Sequence, residues 1–206
     1  MECVFDVGAN RAQTVARFRS LIPNCSIYAF EPAETAYREL VAATTDDPKV
    51  RPVRAALGER DGTATLYENA ADVTNSLLPI AAGAHRFAPA DMCRPVAKST
   101  VPLLRLDTFC AREKIPHIDI LKIDAQGYER RILEGAGALL APQFIRGIFL
   151  EVQFVNLYEG QAWGGELLEL LRARGYKVFG FTEITFDHAN GWKWADAMFL
   201  PDQRAR

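Results

Sequence analysis

The stretch VFDVGANRAQT, residues 4–14, decides the fold. Val4 to Val7 is an apolar run of strand length, Gly8 breaks it, and Ala12, Val15, Phe18 and Leu21 then recur at helical spacing. A strand that passes through a glycine turn straight into a helix is the first unit of a doubly wound α/β sheet. Loops of this kind that cradle a pyrophosphate follow GxGxxG, so that backbone amides approach the phosphates unhindered. Here the corresponding letters are Gly8-Ala9-Asn10-Arg11-Ala12-Gln13, and only the first glycine is kept. Asp6 stands just before it, and a carboxylate aimed at a pyrophosphate would repel it. The loop therefore favours a nucleoside ligand that carries positive charge.

Outward from this stretch the strand and helix patterns alternate. Apolar runs of strand length recur at SIYAFE (26–31), VRPVRAAL (50–57), IDILKID (118–124), GIFLEV (147–152) and YKVFGF (176–181). Tyr37, Leu40 and Val41 mark a second helix. Ile132, Leu133, Ala136, Leu139 and Leu140 mark another, and Leu167, Leu168, Leu170 and Leu171 a last one that stops at Gly175. Such alternation predicts a parallel sheet covered on both faces. Near the C-terminus, Asn190-Gly191 lies between two strand-like runs and predicts a hairpin, hence an antiparallel end to the sheet. RDGTATLYEN (60–69) reads as a hairpin arm. The proline- and glycine-rich insertion around 68–100 reads as irregular, a lid or binding loop.

Glu31 lies 23 residues after Gly8 (31 − 8), where an acid can accept hydrogen bonds from both ribose hydroxyls of NAD or of any adenosine ligand. The 206 residues, 49% of them hydrophobic, suit a single domain over 1–206 with one sizeable core. A net charge of −2 gives no general attraction to nucleic acid or to anionic lipid. Cys3, Cys25, Cys93 and Cys110 form no CxxC pair and no ligand-like group with the three histidines, so we expect reduced thiols and no metal. No apolar run approaches the roughly 20 residues of a membrane helix, and no signal peptide precedes Val4. The expectation is a cytoplasmic protein with no membrane insertion.

FDVGAN, AFEP, AALGERDGTATLY, LLRLDTF, DILKIDAQGYERRILEGA, IFLEV and WADAMFL, in that order, resemble the FkbM family of S-adenosylmethionine-dependent methyltransferases over nearly the whole chain. LKIDAQGYERRILEGA is the most specific piece. The resemblance implies a class I methyltransferase, Rossmann-like fold with a mostly parallel seven-stranded sheet and an antiparallel C-terminal hairpin. It further implies O-methylation of a hydroxyl on a sugar, glycolipid or polyketide-type natural product. Carried over by position, Asp6, Gly8 and Asn10 would line the methionine part of the cofactor, and Glu31 with Pro32 would hold the ribose. Ala55 and Ala56 would approach the adenine, and Asp124 would lie near the transferable methyl group or the acceptor. Ala12 stands where the family commonly has glycine and Gln126 where it commonly has an acid. The chain also begins at its first strand, without the N-terminal segment many members have.

In a doubly wound sheet, ligands bind outside the carboxyl ends of the strands, which selects Asp6, Glu31, Asp124 and Glu151 among the acids. Asp124 is the first candidate for base or acceptor positioning, and Glu151 the second. Either acid could equally cap a helix or pair with an arginine. Glu129 reads as a helix-start residue, and Asp196 as an acid that faces either solvent or the pocket. His117 reads as structural, and His85 and His188 as surface residues in loops. Trp163, Trp192 and Trp194 could stack on a sugar ring or pack the rim. The partner expected is a small-molecule or glycan acceptor, not nucleic acid, and the sequence is compatible with a homo-oligomer. Two further function classes share these features: an NAD-linked Rossmann oxidoreductase and a non-catalytic cofactor-binding protein of the same fold.

Overall fold

The computed structural model describes residues 2–187 and 191–202. His188 and Asn190, and with them the predicted hairpin turn, lie outside the described residues. The main sheet has seven strands in the order β3-β2-β1-β7-β8-β10-β9. These are β1 (Cys3–Val7), β2 (Ser26–Phe30), β3 (Val50–Val53), β7 (Ile120–Ile123), β8 (Ile148–Gln153), β9 (Tyr176–Asp187) and β10 (Gly191–Pro201). The first five named run parallel to one another, and β10 runs antiparallel to both β8 and β9. This is the doubly wound, mostly parallel sheet with an antiparallel end that the alternation predicts.

Residues on the two sides of β1 belong to two separate cores. Phe5 and Val7 pack into the larger cluster with Leu121, Ile123, Leu150 and Phe199. Val4 packs on the other side with Val15, Ile27 and Leu40, under α1 (Gln13–Leu21) and α2 (Glu34–Thr44). Two positions differ from the helical pattern read in the sequence. Leu21 is 70% exposed and Val41 is also exposed, because each lies past the edge of the face its helix buries.

A second, three-stranded sheet has the order β4-β6-β5. VRPVRAAL is not one strand: β3 stops at Val53 and β4 (Ala56–Leu57) leaves for the small sheet, after a tight bend in which Ala55 N–H donates to the Val53 carbonyl at 3.0 Å. β5 (Gly62–Asn69) is the expected hairpin arm, paired with β6 (Pro95–Leu104). Regular structure thus resumes at Pro95, inside the stretch read as irregular. The apolar pattern there is silent because the first half of β6 is mostly solvent-exposed. α3 (Leu106–Glu113) follows it, and α4 (Glu129–Gly135) and α5 (Gly164–Ala173) complete the helices. α5 ends before Gly175, which adopts φ +86°, as its C-terminal glycine predicts. All four cysteines are buried and unpaired. Among the described residues no helix is long and apolar enough to cross a membrane, and no group of side chains is placed to hold a metal ion.

Candidate functional site

The loop after β1 is folded by its backbone. Gly8 and Ala9 both donate N–H to the Phe30 carbonyl at 3.0 Å, drawing the loop over the end of β2. Gly8 has φ +77°, and a Cβ there would stand 1.9 Å from the Asp124 carbonyl oxygen. Glycine is required because the loop lies against the backbone that follows β7. Glu31, directly after β2, is buried and fastens the same loop: Oε2 accepts the Asn10 N–H at 2.9 Å and Oε1 the Ala33 N–H at 2.8 Å. Burial pushes its carboxyl up from the ordinary value, against the pull of those two amides.

These elements border one cavity of about 710 Å³, open mouth included. Gly8, Asn10, Glu31, Pro32, Ala55, Ala56 and Asp124 all line it. The insertion contributes as well, through Asp72, Asn75 and Ser76. Arg11 ties that segment to the first loop, with Nη2 2.7 Å from Asp72 and Nε 3.0 Å from Glu39. The charged side chains of the lining are three carboxylates, Glu31, Asp72 and Asp124, with no Lys or Arg among the described residues that border it. Such a wall favours a cation and opposes a pyrophosphate. The Asn10 side-chain oxygen is buried with no hydrogen-bond partner, an acceptor that awaits a donor.

Asp6 does not line this cavity. Strand alternation turns it to the opposite side from Phe5 and Val7, where it is fully buried beside Lys122, its neighbour across the parallel ladder. Lys122 Nζ stands 3.1 Å from Asp6 Oδ1, outside hydrogen-bond angles, and donates to the Gly8 carbonyl at 3.0 Å. Burial drives the Asp6 carboxyl upward and Lys122 pulls it back. Burial also works against the Lys122 ammonium, but Asp6 and Asp124 outweigh it and hold its pKa up. The negative charge that meets a ligand is therefore supplied by Glu31, Asp72 and Asp124. Asp6 instead neutralises a lysine beneath the loop. A lysine inside the apolar run ILKI was the sequence signal for this pair.

Asp124 follows β7 with 43% of its side chain exposed. Its Oδ1 accepts from Gln126 Nε2 at 2.7 Å. Gln126 in turn accepts from the Tyr158 hydroxyl at 2.8 Å through Oε1 and from Ser76 Oγ at 2.7 Å through its backbone carbonyl. Gln126 thus links Asp124 to the insertion and to the loop after β8. Glu151 lies outside the cavity lining, on the strand face shared with Phe149, and accepts from Gln153 Nε2 at 2.7 Å. Burial, with Asp124 and Glu129 nearby, raises its carboxyl well above the usual range. Of the two proposed catalytic acids, only Asp124 borders the cavity.

Glu129 starts α4 as expected, but it is also buried, and Oε1 accepts the N–H groups of Ala125 and Gly127 at 3.0 and 3.1 Å. His117 sits 3.3 Å from Asp119 Oδ2 at the far end of β7, a structural contact, and His85 is exposed and away from the cavity. Trp163 and Trp192 pack edge-on against Phe154 at 5.9 Å between ring centres, outside the cavity lining.

Several solved structures share this fold. Aeropyrum pernix fibrillarin with bound S-adenosyl-L-methionine superposes with a TM-score of 0.53 at 11% identity, over 97% of this chain and 66% of that one. M. capricolum TrmK in complex with S-adenosyl-homocysteine gives 0.53 at 10% identity, over 98% and 62%. An rRNA methylase from Streptococcus thermophilus gives 0.51 at 11% identity, over 98% and 87%. The chain thus spans about two thirds of the length of the first two. No curated protein matches the sequence. The sequence profile of the methyltransferase FkbM domain matches residues 6–178, from the end of β1 into β9. The chain belongs to the FkbM methyltransferase family.

Proposed function

We propose that the chain is an S-adenosylmethionine-dependent O-methyltransferase, acting on a hydroxyl of a sugar, glycolipid or polyketide-type natural product. The observation that carries this reading is the cavity wall, with three carboxylates and no described basic side chain. S-adenosylmethionine bears an ammonium and a sulfonium, and when bound it supplies an electrophilic methyl carbon. The residues present fit it. Each Glu31 oxygen keeps a lone pair after taking its backbone N–H, which suits the two ribose hydroxyls. The unpartnered Asn10 oxygen suits the ammonium. Ala55, Ala56, Leu57 and Leu66 give an apolar surface for the adenine. To Asp124 we assign orienting the acceptor hydroxyl and taking its proton as the new bond forms, a reading supported by its place in the cavity wall and by Gln126, which holds one of its oxygens.

The same wall speaks against a nicotinamide dinucleotide, whose pyrophosphate would face Glu31, Asp72 and Asp124 with no basic side chain among the described lining residues, Arg11 and Lys122 standing behind Asp72 and Asp124. Calorimetric titration with S-adenosylhomocysteine tests the assignment. Wild type should bind and Glu31→Ala should lose most of the affinity; equal affinity in the two proteins would refute it. Transfer of a labelled methyl group to alcohol acceptors, lost in Asp124→Asn with S-adenosylhomocysteine binding retained, separates an enzyme from a protein that only binds the nucleoside.

A further inference from the structure

Gln126 stands at φ +53°, a left-handed conformation that is costly for a residue with a side chain and persists only where its surroundings hold it. Its side-chain ends and its carbonyl are all engaged. Nε2 donates to Asp124 Oδ1 at 2.7 Å, Oε1 accepts from the Tyr158 hydroxyl at 2.8 Å, and the carbonyl accepts from Ser76 Oγ at 2.7 Å. Lys122 Nζ, 3.8 Å from Asp124 Oδ2, is beyond hydrogen-bond reach, so among the described residues it is Gln126 that fixes the Asp124 carboxylate. Asp124 needs such a hold. Beyond the effect of burial, its charge raises the carboxyls of Glu129, Glu151 and Asp196, and these acids repel it in turn.

The polarity of the chain is forced. An ionised carboxylate accepts hydrogen bonds and donates none, so only the Nε2 end of the amide can face Asp124. The Oε1 end then faces Tyr158, whose hydroxyl supplies the proton. Tyr158 is 1% exposed, and its ring is seated against Gly127, where a Cβ would come to 3.0 Å from Tyr158 Cδ2. Burial, with Glu151 adding to it, holds the phenol above its ordinary value, so the hydroxyl keeps its proton. The same hydroxyl stands 3.2 Å from the Thr74 carbonyl of the insertion. We infer that Tyr158, which does not line the cavity, is a positioning residue: through the Gln126 amide it keeps one Asp124 oxygen occupied and leaves the other for the proton of the acceptor hydroxyl. That proton passes to Asp124 as the acceptor oxygen takes the methyl group, and the electron pair of the broken C–S bond stays on sulfur. This deepens the proposed function and rests on it.

Tyr158→Phe keeps the ring and removes the hydroxyl. Protein labelled with 15N in its glutamine side chains and saturated with S-adenosylhomocysteine reads the tether directly, the Gln126 signal being the one absent from Gln126→Leu. In wild type this amide should be protected from solvent exchange, and Asp124→Asn should shift it. Tyr158→Phe should speed its exchange about tenfold or more. The Gln161 signal, whose side chain holds the Leu157 and Tyr158 amides, and the affinity for S-adenosylhomocysteine should stay as in wild type. In transfer of a labelled methyl group to methyl α-D-glucoside and cyclohexanol, Tyr158→Phe should lower kcat about tenfold or more with the KM for S-adenosylmethionine unchanged. Gln126→Leu should lose as much and the double variant no more, because the two act in series. An unchanged Gln126 amide in Tyr158→Phe, a Gln161 signal that shifts with it, a KM that rises in place of a falling kcat, or additive losses would overturn the role. A wild type that binds S-adenosylhomocysteine and holds the Gln126 amide but methylates neither alcohol discards the proposed reaction and keeps the tether.

Discussion

Gly8 and Asp6 are two residues apart and do different work. Alanine at position 8 would bring a Cβ to 1.9 Å from the Asp124 carbonyl and would have to hold φ +77°, so Gly8→Ala should cost about 2–4 kcal/mol, read in urea unfolding. Asp6 is a buried ion pair's acid. Asp6→Leu alone should cost about 3–5 kcal/mol because it strands Lys122, while Asp6→Leu combined with Lys122→Met should recover most of the loss. If the double variant is no more stable than the single, Asp6 has a role beyond neutralising that lysine. The sequence showed that both letters matter but not why. An acid in an apolar strand can face either side of a sheet, and Lys122 becomes its neighbour only through a parallel pairing 116 residues along the chain.

At the scale of elements, the segment from Asp124 to Glu129 joins β7 to α4 and brings Asp124, Ala125, Gln126 and Tyr128 to the cavity. Its shape depends on Glu129, whose one carboxylate oxygen collects two loop amides while burial raises the carboxyl to about 7. The folded-state pKa lies above the ordinary 4.5, so the folded protein retains a proton that the unfolded chain has lost. This group's contribution to stability is therefore largest below about pH 4.5 and declines as pH rises to about 7. Glu129→Gln keeps the acceptor and removes the titration, so its stability should match wild type near pH 4.5 and exceed it above pH 7. Glu129→Ala, which strands two amides, should lose about 2–3 kcal/mol throughout. Thermal unfolding across this range reads both, and a wild type whose pH dependence equals that of Glu129→Gln would contradict the assignment. Elements with a buried apolar face were legible in the sequence: β1, β2, β7, β8 and α5. β6 was not, because its first half is mostly exposed and carries no apolar period. α3 is eight residues long, too short for a clear stripe around Leu106, Phe109 and Cys110.

At the scale of the whole molecule, the cavity forms where the main sheet and the small sheet meet. The main sheet gathers Gly8, Glu31 and Asp124 at the carboxyl ends of β1, β2 and β7, as the winding rule predicts. The insertion, carried on the small sheet, closes the cavity with Asp72, Asn75 and Ser76, and their part in it depends on long-range folding that no local pattern announces. Gly8, Asn10, Glu31, Pro32, Ala55, Ala56 and Asp124 border the cavity, whereas Asp6 falls on the other side of β1 beside Lys122. The carboxylate-walled space is expected to take a positively charged nucleoside. The thermal unfolding midpoint with S-adenosylmethionine or with NAD+ in the same buffer tests it most directly. A ligand at about 100 times its Kd adds ~2.7 kcal/mol, so S-adenosylmethionine should raise the midpoint by several degrees and NAD+ should leave it unchanged. A rise with NAD+ and none with S-adenosylmethionine would contradict the account.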